Sequence, residues 1–428
     1  MFCLAVSTHA AGILTDGYDA TSQSMGGVGV MGFQSNASTA LGANPAALSL
    51  LTRPRVEASG EFGWVNGDFH NRANSDAELH DFGAAPAGAI AGKWGNFAIG
   101  LGLIEDAAME ADWRYHDTPG GLTGITSYGT RDHDSEITLT RIALGVSYSF
   151  VPQFSLGASI GILYNHNQLT APYIIQTQPN LAGAKTLLDM QTSGWGVNAQ
   201  FGALWQPIES IRVGLSYTLP SRLYTTGHAT ADSTQQLADL GLTGVDAKAD
   251  FDAEVINQFP AEVSLGISWQ ATKNLELFLQ GDFIQWSDSF DTLQVRLRNV
   301  NNPLYKTLLG NRDHLDDNIP LDWKDQWVIR AGAEYKLGEH FALRAGYRYS
   351  KNPTNTETLT PLTAAIDEHV LTAGLGAKFG RFNADLSYQY HLPQHEHISD
   401  SRLLSGEYRD SDIDVSIHVV MLTVGFEF

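Results

Sequence analysis

Three histidines, His391, His395 and His397, crowd one short stretch, and imidazole is a good ligand for zinc or copper. Their spacing matches no strong metal motif, and a solvated surface loop accounts for them. Serines and histidines are scattered through the chain. None sits in a nucleophile-elbow sequence, and no Ser–His–Asp set stands out. Gly26, Gly27, Gly29 and Gly32 suggest a loop that cradles phosphate. No Gly-Lys-Ser/Thr follows and no strand precedes them, so that chemistry lacks its parts. Cys3 is the only cysteine. It lies in Met1–Ala10, where Phe2, Leu4, Ala5 and Val6 lead into small residues, as at the end of a secretory signal. No positively charged region precedes them, which points to a start upstream of Met1. Cleavage near Ala10 or Ala11 would leave no thiol, and Cys3 lacks the preceding sequence of a lipoprotein signal. The expectation is a protein that is not an enzyme and uses neither cofactor nor metal.

Composition limits the elements that can carry any other site. Of 428 residues, 17% are charged, below the roughly 25% of soluble domains. No apolar run reaches the roughly 18 residues of a membrane helix. The net charge of -21 argues against a nucleic-acid partner, because phosphates need Lys and Arg. The acids gather in segments such as Asp313, Asp316 and Asp317, or Asp400, Glu407, Asp410, Asp412 and Asp414. Those are the places where water-exposed loops would lie.

The apolar residues instead alternate. Ile211, Val213, Leu215, Tyr217 and Leu219 share one face, as do Val263, Leu265, Ile267 and Trp269. Phe382, Ala384, Leu386, Tyr388 and Tyr390 alternate with Asn383, Asp385, Ser387, Gln389 and His391. Period two over these lengths means strands with one apolar and one polar face. A soluble sandwich would alternate too, so strand length and loop order decide.

About fourteen strands are expected, near 53–66, 84–94, 97–106, 137–150, 153–169, 188–206, 209–229, 250–271, 274–297, 321–337, 340–351, 366–379, 381–392 and 412–428. Most reach the ~9–11 residues of a tilted membrane strand. Connections after even-numbered strands are tight, as at Gly95-Asn96 or Gly338-Glu339. Those after odd-numbered strands are long and polar: 67–83, 107–136, 170–187, 230–249, 298–320, 352–365 and 393–411. Such alternation marks periplasmic turns and extracellular loops. Val420, Leu422, Val424, Phe426 and Phe428 form a last apolar face that stops on an aromatic residue. In water that edge would be an aggregation hazard. The fold class expected is therefore all-β, a transmembrane antiparallel barrel of the outer membrane of a Gram-negative bacterium.

Residues 12–52 lack alternation. Their glycines and small polar residues lead into Asn44-Pro45-Ala46. An irregular plug in the lumen suits them, because backbone there finds partners without facing lipid. The expected division is residues 1–10 as residual signal, 11–52 as plug or hatch, and 53–428 as barrel.

Four stretches carry a family resemblance: Gly26–Leu48 with Asn44-Pro45-Ala46; Phe259-Pro260-Ala261-Glu262; Asp282-Phe283-Ile284-Gln285-Trp286-Ser287; and Trp323-Lys324-Asp325-Gln326-Trp327 through Arg330-Ala331-Gly332, then Leu343-Arg344-Ala345-Gly346-Tyr347. In this order they resemble the FadL/TodX-like outer-membrane transporters of long-chain fatty acids and hydrophobic hydrocarbons. The resemblance implies a fourteen-stranded barrel plugged by its N-terminal segment. It also implies passive capture of a hydrophobic molecule outside and its release sideways through a gap in the wall. Implied partners are a hydrophobic small molecule or fatty acid, outer-membrane lipid and lipopolysaccharide, and the barrel-assembly machinery. A general porin, an adhesin or an outer-membrane lipolytic enzyme are the rival readings.

Parity along the strands assigns the lumen-facing bases. Arg141, Arg330, Lys336, Arg344 and Arg348 point inward, and their expected role is pairing with carboxylates such as Glu334 and Asp385. Fatty-acid carriers of this family resemble one another in a basic pair, an arginine late in strand five and a lysine shortly before strand ten. Here strand five ends Tyr164-Asn165-His166-Asn167-Gln168-Leu169-Thr170, and strand ten is preceded by Asn318-Ile319-Pro320-Leu321. That departure favours a neutral cargo. The candidate cargo-binding residues are Lys324, Arg312, Arg330, His166 and Trp286.

Overall fold

The computed structural model describes residues 9–34 and 36–428. Met1–Thr8, the larger part of the expected signal remnant with Cys3, lie outside the described residues. Fourteen antiparallel strands close into one barrel. They are β1 (Arg55–Asn71), β2 (Asn74–Trp94), β3 (Phe97–His116), β4 (Thr130–Val151), β5 (Phe154–Ile174) and β6 (Lys185–Ile208). Four interrupted strands follow: β7 (Ile211–Thr218 and Ser221–Asp232), β8 (Lys248–Phe259 and Glu262–Gln270), β9 (Leu275–Ile284 and Thr292–Arg298) and β10 (Leu315–Pro320 and Gln326–Leu337). The circuit ends with β11 (Phe341–Ser350), β12 (His369–Phe379), β13 (Phe382–Ile398) and β14 (Ser411–Glu427).

Closure is complete along the seam, where β14 pairs with β1 from Asp412↔His70 to Glu427↔Arg55. A closed barrel satisfies every strand within lipid, where an open edge would be costly. The side chains obey the expected alternation. On β10, Trp327 and Ile329 are exposed, whereas Val328 and Arg330 are buried. Exposed aromatics at the turn end include Trp94, Phe97, Phe150, Phe379 and Phe382, and a second set includes Trp64, Phe82, Trp195 and Trp327. Such belts mark the two membrane interfaces.

One expected loop does not exist. Residues 67–83 continue β1 and β2 to a tight turn at Arg72-Ala73. Beyond the lipid the outward row turns polar, with Asp68, Glu78 and His80, so the period-two apolar signal vanishes while the ladder continues. In the same way β3 and β4 run well past their expected ends, to His116 and from Thr130.

The lumen holds the N-terminal segment. Helix α1 (Ala20–Gln23) is capped by Asp19, whose Oδ1 accepts from Ser22 N at 2.9 Å. Helix α2 (Ala37–Ala43) is held by the wall: Glu57 of β1 accepts from Ala37 N at 2.7 Å and Ser38 N at 3.0 Å. A carboxylate at a helix N-terminus is favourable. Asn44 Oδ1 accepts from Ala46 N, and its Nδ2 donates to Val30 O at 2.7 Å and to Ala203 O of β6 at 3.1 Å. Two wall glycines make room for this turn. A Cβ on Gly202 would lie 1.8 Å from Asn44 Oδ1, and one on Gly157 would lie 2.3 Å from Ala46 N.

Candidate functional site: an apolar cavity above the plug

Strands β7 to β10 break at one level, between Thr218 and Ser221, Phe259 and Glu262, Ile284 and Thr292, and Pro320 and Gln326. Pro220 and Pro260 lie in two of these breaks, as expected of a residue that cannot donate to a ladder. Freed from the ladder, Trp286, Phe290 and Trp323 turn inward and pack together. Their ring centroids are 4.8 to 5.1 Å apart, and the Trp286 indole donates to Gln326 Oε1 at 3.1 Å.

Phe290 and Trp323 floor a cavity of about 170 Å³. Its walls are apolar side chains such as Met109, Ile137, Leu169, Met190, Val255 and Leu362. Loop residues Leu403, Leu404 and Tyr408 close the outer side. The charged residues in the lining are Glu136 and Glu407, and neither lysine nor arginine contributes. Two asparagines reach the wall. Asn257 Nδ2 donates to Asn165 Oδ1 at 2.7 Å and Asn167 Oδ1 at 3.0 Å, so its donors are taken. The charges and free acceptors around the cavity are therefore unsuited to an anionic head group.

The roof is tied by a buried ion cluster. Lys185 Nζ donates to Asp117 at 2.6 Å, to Thr118 O at 2.7 Å and to Glu407, which links three loops. Burial pushes the Glu407 carboxyl up to about 7, against the pull of Lys185. Gln236 Oε1 accepts from Leu122 N and Lys185 N, each at 3.0 Å, and adds a fourth loop.

The wall is incomplete between β2 and β3. β2 and β3 pair only from Trp94↔Phe97 to Gly88↔Leu103. Above that point β2 continues against β1 alone and β3 against β4 alone. The β2 edge is Gly83-Ala84-Ala85-Pro86-Ala87, small residues with a proline that needs no ladder partner. On β3 the register slips between Glu105 and Ala107. The extra residue, Asp106, meets Arg141 at 2.8 Å. From inside, Leu14 pairs with Ala107, and Ala108 N donates to Ile13 O at 3.1 Å. Ile13, Trp286, Phe290, Trp323 and Ala107 belong to one buried apolar cluster. Apolar packing thus links the cavity floor, through Ile13 of the plug, to the seam.

The inward arginines are all engaged. Arg330 binds Asp282 at 2.7 Å and also Asp16, and Arg348 binds Asp16 at 3.0 Å and Asp367 at 2.6 Å. Arg344 binds Glu334 at 2.8 Å and Asp385 at 2.7 Å. Lys336 is exposed at the turn end. Of the candidate cargo residues, Trp286 underlies the floor, and Arg330 sits lower, among the plug contacts. His166 shares the outward register of Ile160 and Ile162 and does not line the cavity. Lys324 and Arg312 are exposed and stand apart from it. The structure does not bring these five together. Sequence reasoning missed Phe290, the loop wall and the Lys185 cluster; Pro260 and the Trp286–Ser287 motif were the available signs of a broken wall. His391 is buried against Asp367 at 3.0 Å, and His395 and His397 pair with Asp414 and Asp412.

A plugged fourteen-stranded barrel with an apolar chamber defines an outer-membrane transport protein. Residues 1–428 match the outer membrane protein transport protein family (OMPP1/FadL/TodX), and this chain belongs to it. Alkane uptake protein A of Marinobacter nauticus is 26% identical over 269 residues, covering 59% of this chain and 53% of that protein. The chain thus spans about half the length of that relative. The toluene transporter TodX of Pseudomonas putida has the same fold, with a TM-score of 0.78 at 19% identity, over 98% of this chain and 100% of that one. A Pseudomonas aeruginosa FadL homologue gives 0.77 at 16% over 98% and 100%, and the Ralstonia pickettii toluene transporter TbuX gives 0.72 at 21% over 96% and 99%.

Proposed function

We propose that this protein carries neutral hydrophobic compounds, hydrocarbons above all, passively across the outer membrane. The observation that carries this reading is an apolar cavity whose charged lining is acidic only. Each methylene that leaves water for such a cavity contributes about 0.8 kcal/mol. A fatty-acid carboxylate would instead meet Glu136 and Glu407 with no cation to pair it, a penalty on the order of several kcal/mol. Cargo entering between the loops would rest on Phe290 and Trp323. Movement of the Gly12–Thr15 segment would then open the way to the β2–β3 seam and the lipid beside it. No energy source is required, because the cargo passes between apolar phases.

The family to which the chain belongs supports this reading, and so does the alkane uptake named for its relative. A porin is disfavoured by the filled lumen, and no nucleophilic set among the described residues supports a lipolytic role. Contacts with lipopolysaccharide outside, and with the assembly machinery through the C-terminal strand, belong to the same proposal. The test is saturation binding to purified protein in detergent. Radiolabelled hexadecane should bind at one displaceable site and oleate far more weakly at neutral pH. Tighter binding of oleate would reject the neutral-cargo reading.

A further inference from the structure

The lipid-facing surface near the barrel seam is not smooth. Register places three rows across β12, β13, β14 and β1. The lowest row is Phe379, Phe382, Phe426 and Val56. Above it run Ala377, Ala384, Val424 and Ala58, and above those Leu375, Leu386, Leu422 and Gly60. All twelve face outward on the alternation of their strands. Three alanines thus lie between a ridge of phenylalanines and a ridge of leucines. The result is a trough of about 470 Å³, lined by Phe379, Phe382 and Phe426 with the alanine row.

Just below the phenylalanine ridge, the hairpin Phe379-Gly380-Arg381-Phe382 carries Arg381 toward the headgroup zone. Arg381 is exposed and makes no ion pair among the described residues. Lys378 stands beside it, bound to Glu427 at 2.9 Å and still half exposed. The chain as a whole carries a net charge of -21. Its periplasmic rim is different: Arg53, Lys273, Lys336, Lys378 and Arg381 are exposed there, against Glu209 and Glu339. A cationic rim below an apolar trough matches a molecule with an anionic head and an acyl tail, lying as lipids of the periplasmic leaflet lie.

We infer that this trough is a specific site for one anionic glycerophospholipid of the periplasmic leaflet, with an acyl chain along the alanine row and its phosphate on Arg381. The site spans the β14–β1 closure, so the lipid would brace the seam where the first and last strands meet. Neither the plug nor the cavity takes part, and the site stands independently of the cargo.

Native mass spectrometry of the delipidated full-length protein tests the site, with phosphatidylglycerol and phosphatidylcholine added in turn. One phosphatidylglycerol should be retained per barrel, in clear preference to phosphatidylcholine. Arg381→Ala should weaken retention about tenfold, the scale of one charge-assisted hydrogen bond. Ala384→Phe fills the trough from the lipid side, leaves the lumen untouched, and should abolish retention of the same lipid. Heat-modifiable migration on gels establishes that each variant is folded. Equal retention of the two lipids, or undiminished phosphatidylglycerol in both variants, would overturn the proposal. So would a species of twice the monomer mass that excludes lipid, or hydrocarbon displacing phosphatidylglycerol one for one.

Discussion

Arg348 Nε lies 3.0 Å from Asp16 Oδ2, so a wall strand grips the plug through a buried ion pair. Arg330 of the neighbouring strand holds the other oxygen, and it also donates to the plug at Gly26 O, at 3.1 Å. Asp282 and Asp367 balance the two guanidinium groups from the wall side. Asp16 therefore carries the ion pairs that fasten a segment otherwise kept by apolar contacts and by hydrogen bonds to wall side chains such as Glu57, Glu61 and Gln280.

Asp16→Asn should loosen the plug without unfolding the barrel. Removing one partner of a buried ion pair is worth about 3–5 kcal/mol locally. Hydrogen exchange in 16–34 should accelerate, and planar bilayers should show brief openings to small ions. Unchanged exchange together with a silent bilayer would refute the fastening role.

The wall glycines at the Asn44-Pro45-Ala46 turn make a steric prediction. Gly157→Val places carbon within backbone contact of Ala46, and neither strand nor plug can give way cheaply. The variant should insert as a barrel but admit hydrophilic antibiotics, as should a deletion of 12–40. Wild-type antibiotic resistance in both would mean that this segment does not seal the lumen.

Much of this architecture was legible from period two alone. Ile211, Val213, Leu215 and Tyr217 needed no context to define a face, and parity placed Arg141, Arg330, Arg344 and Arg348 inside, where they are found. The cavity was harder to read because it is made by departures from the pattern. Trp286, Phe290 and Trp323 turn inward only where the ladder stops, and the parity of β3 reverses at Asp106. Lys185 falls within the expected loop 170–187, yet acids distant in sequence, Asp117 and Glu407, pair with it and it is fully buried. Pairing between loops has no local signature in the chain.

The cavity floor should set affinity. Phe290→Ala removes a ring from both the cavity and its aromatic cluster, worth about 1–2 kcal/mol of binding. Titration with a neutral hydrocarbon should show roughly a tenfold loss, whereas Lys324→Ala and Arg312→Ala should leave that affinity unchanged. A strong effect of either cation on neutral cargo would move the binding site toward the loops.

The loop roof should respond to pH through Glu407. Its carboxyl is raised by burial from 4.5 to about 7, with Lys185 and Arg72 opposing and Asp117 adding to the rise. A raised acid contributes stability that is fully present below its unfolded value and fades as pH climbs through its folded one. Protection of 117–129 and 399–410, corrected for intrinsic exchange, should therefore fall between about pH 4.5 and 7. Glu407→Gln should flatten this profile. A profile of opposite slope, or one untouched by the substitution, would contradict the assignment.

Uptake is the most direct test of the central claim that the cavity serves neutral cargo. A strain lacking its own carriers of this family, complemented with this protein, would be fed radiolabelled hexadecane or oleate at equal free concentration. The account predicts accumulation of hexadecane without an energised membrane, loss of that accumulation in a variant with Leu169→Glu in the cavity wall, and little oleate uptake. Oleate uptake equal to or faster than that of hexadecane, or hexadecane uptake indifferent to Leu169→Glu, would contradict it.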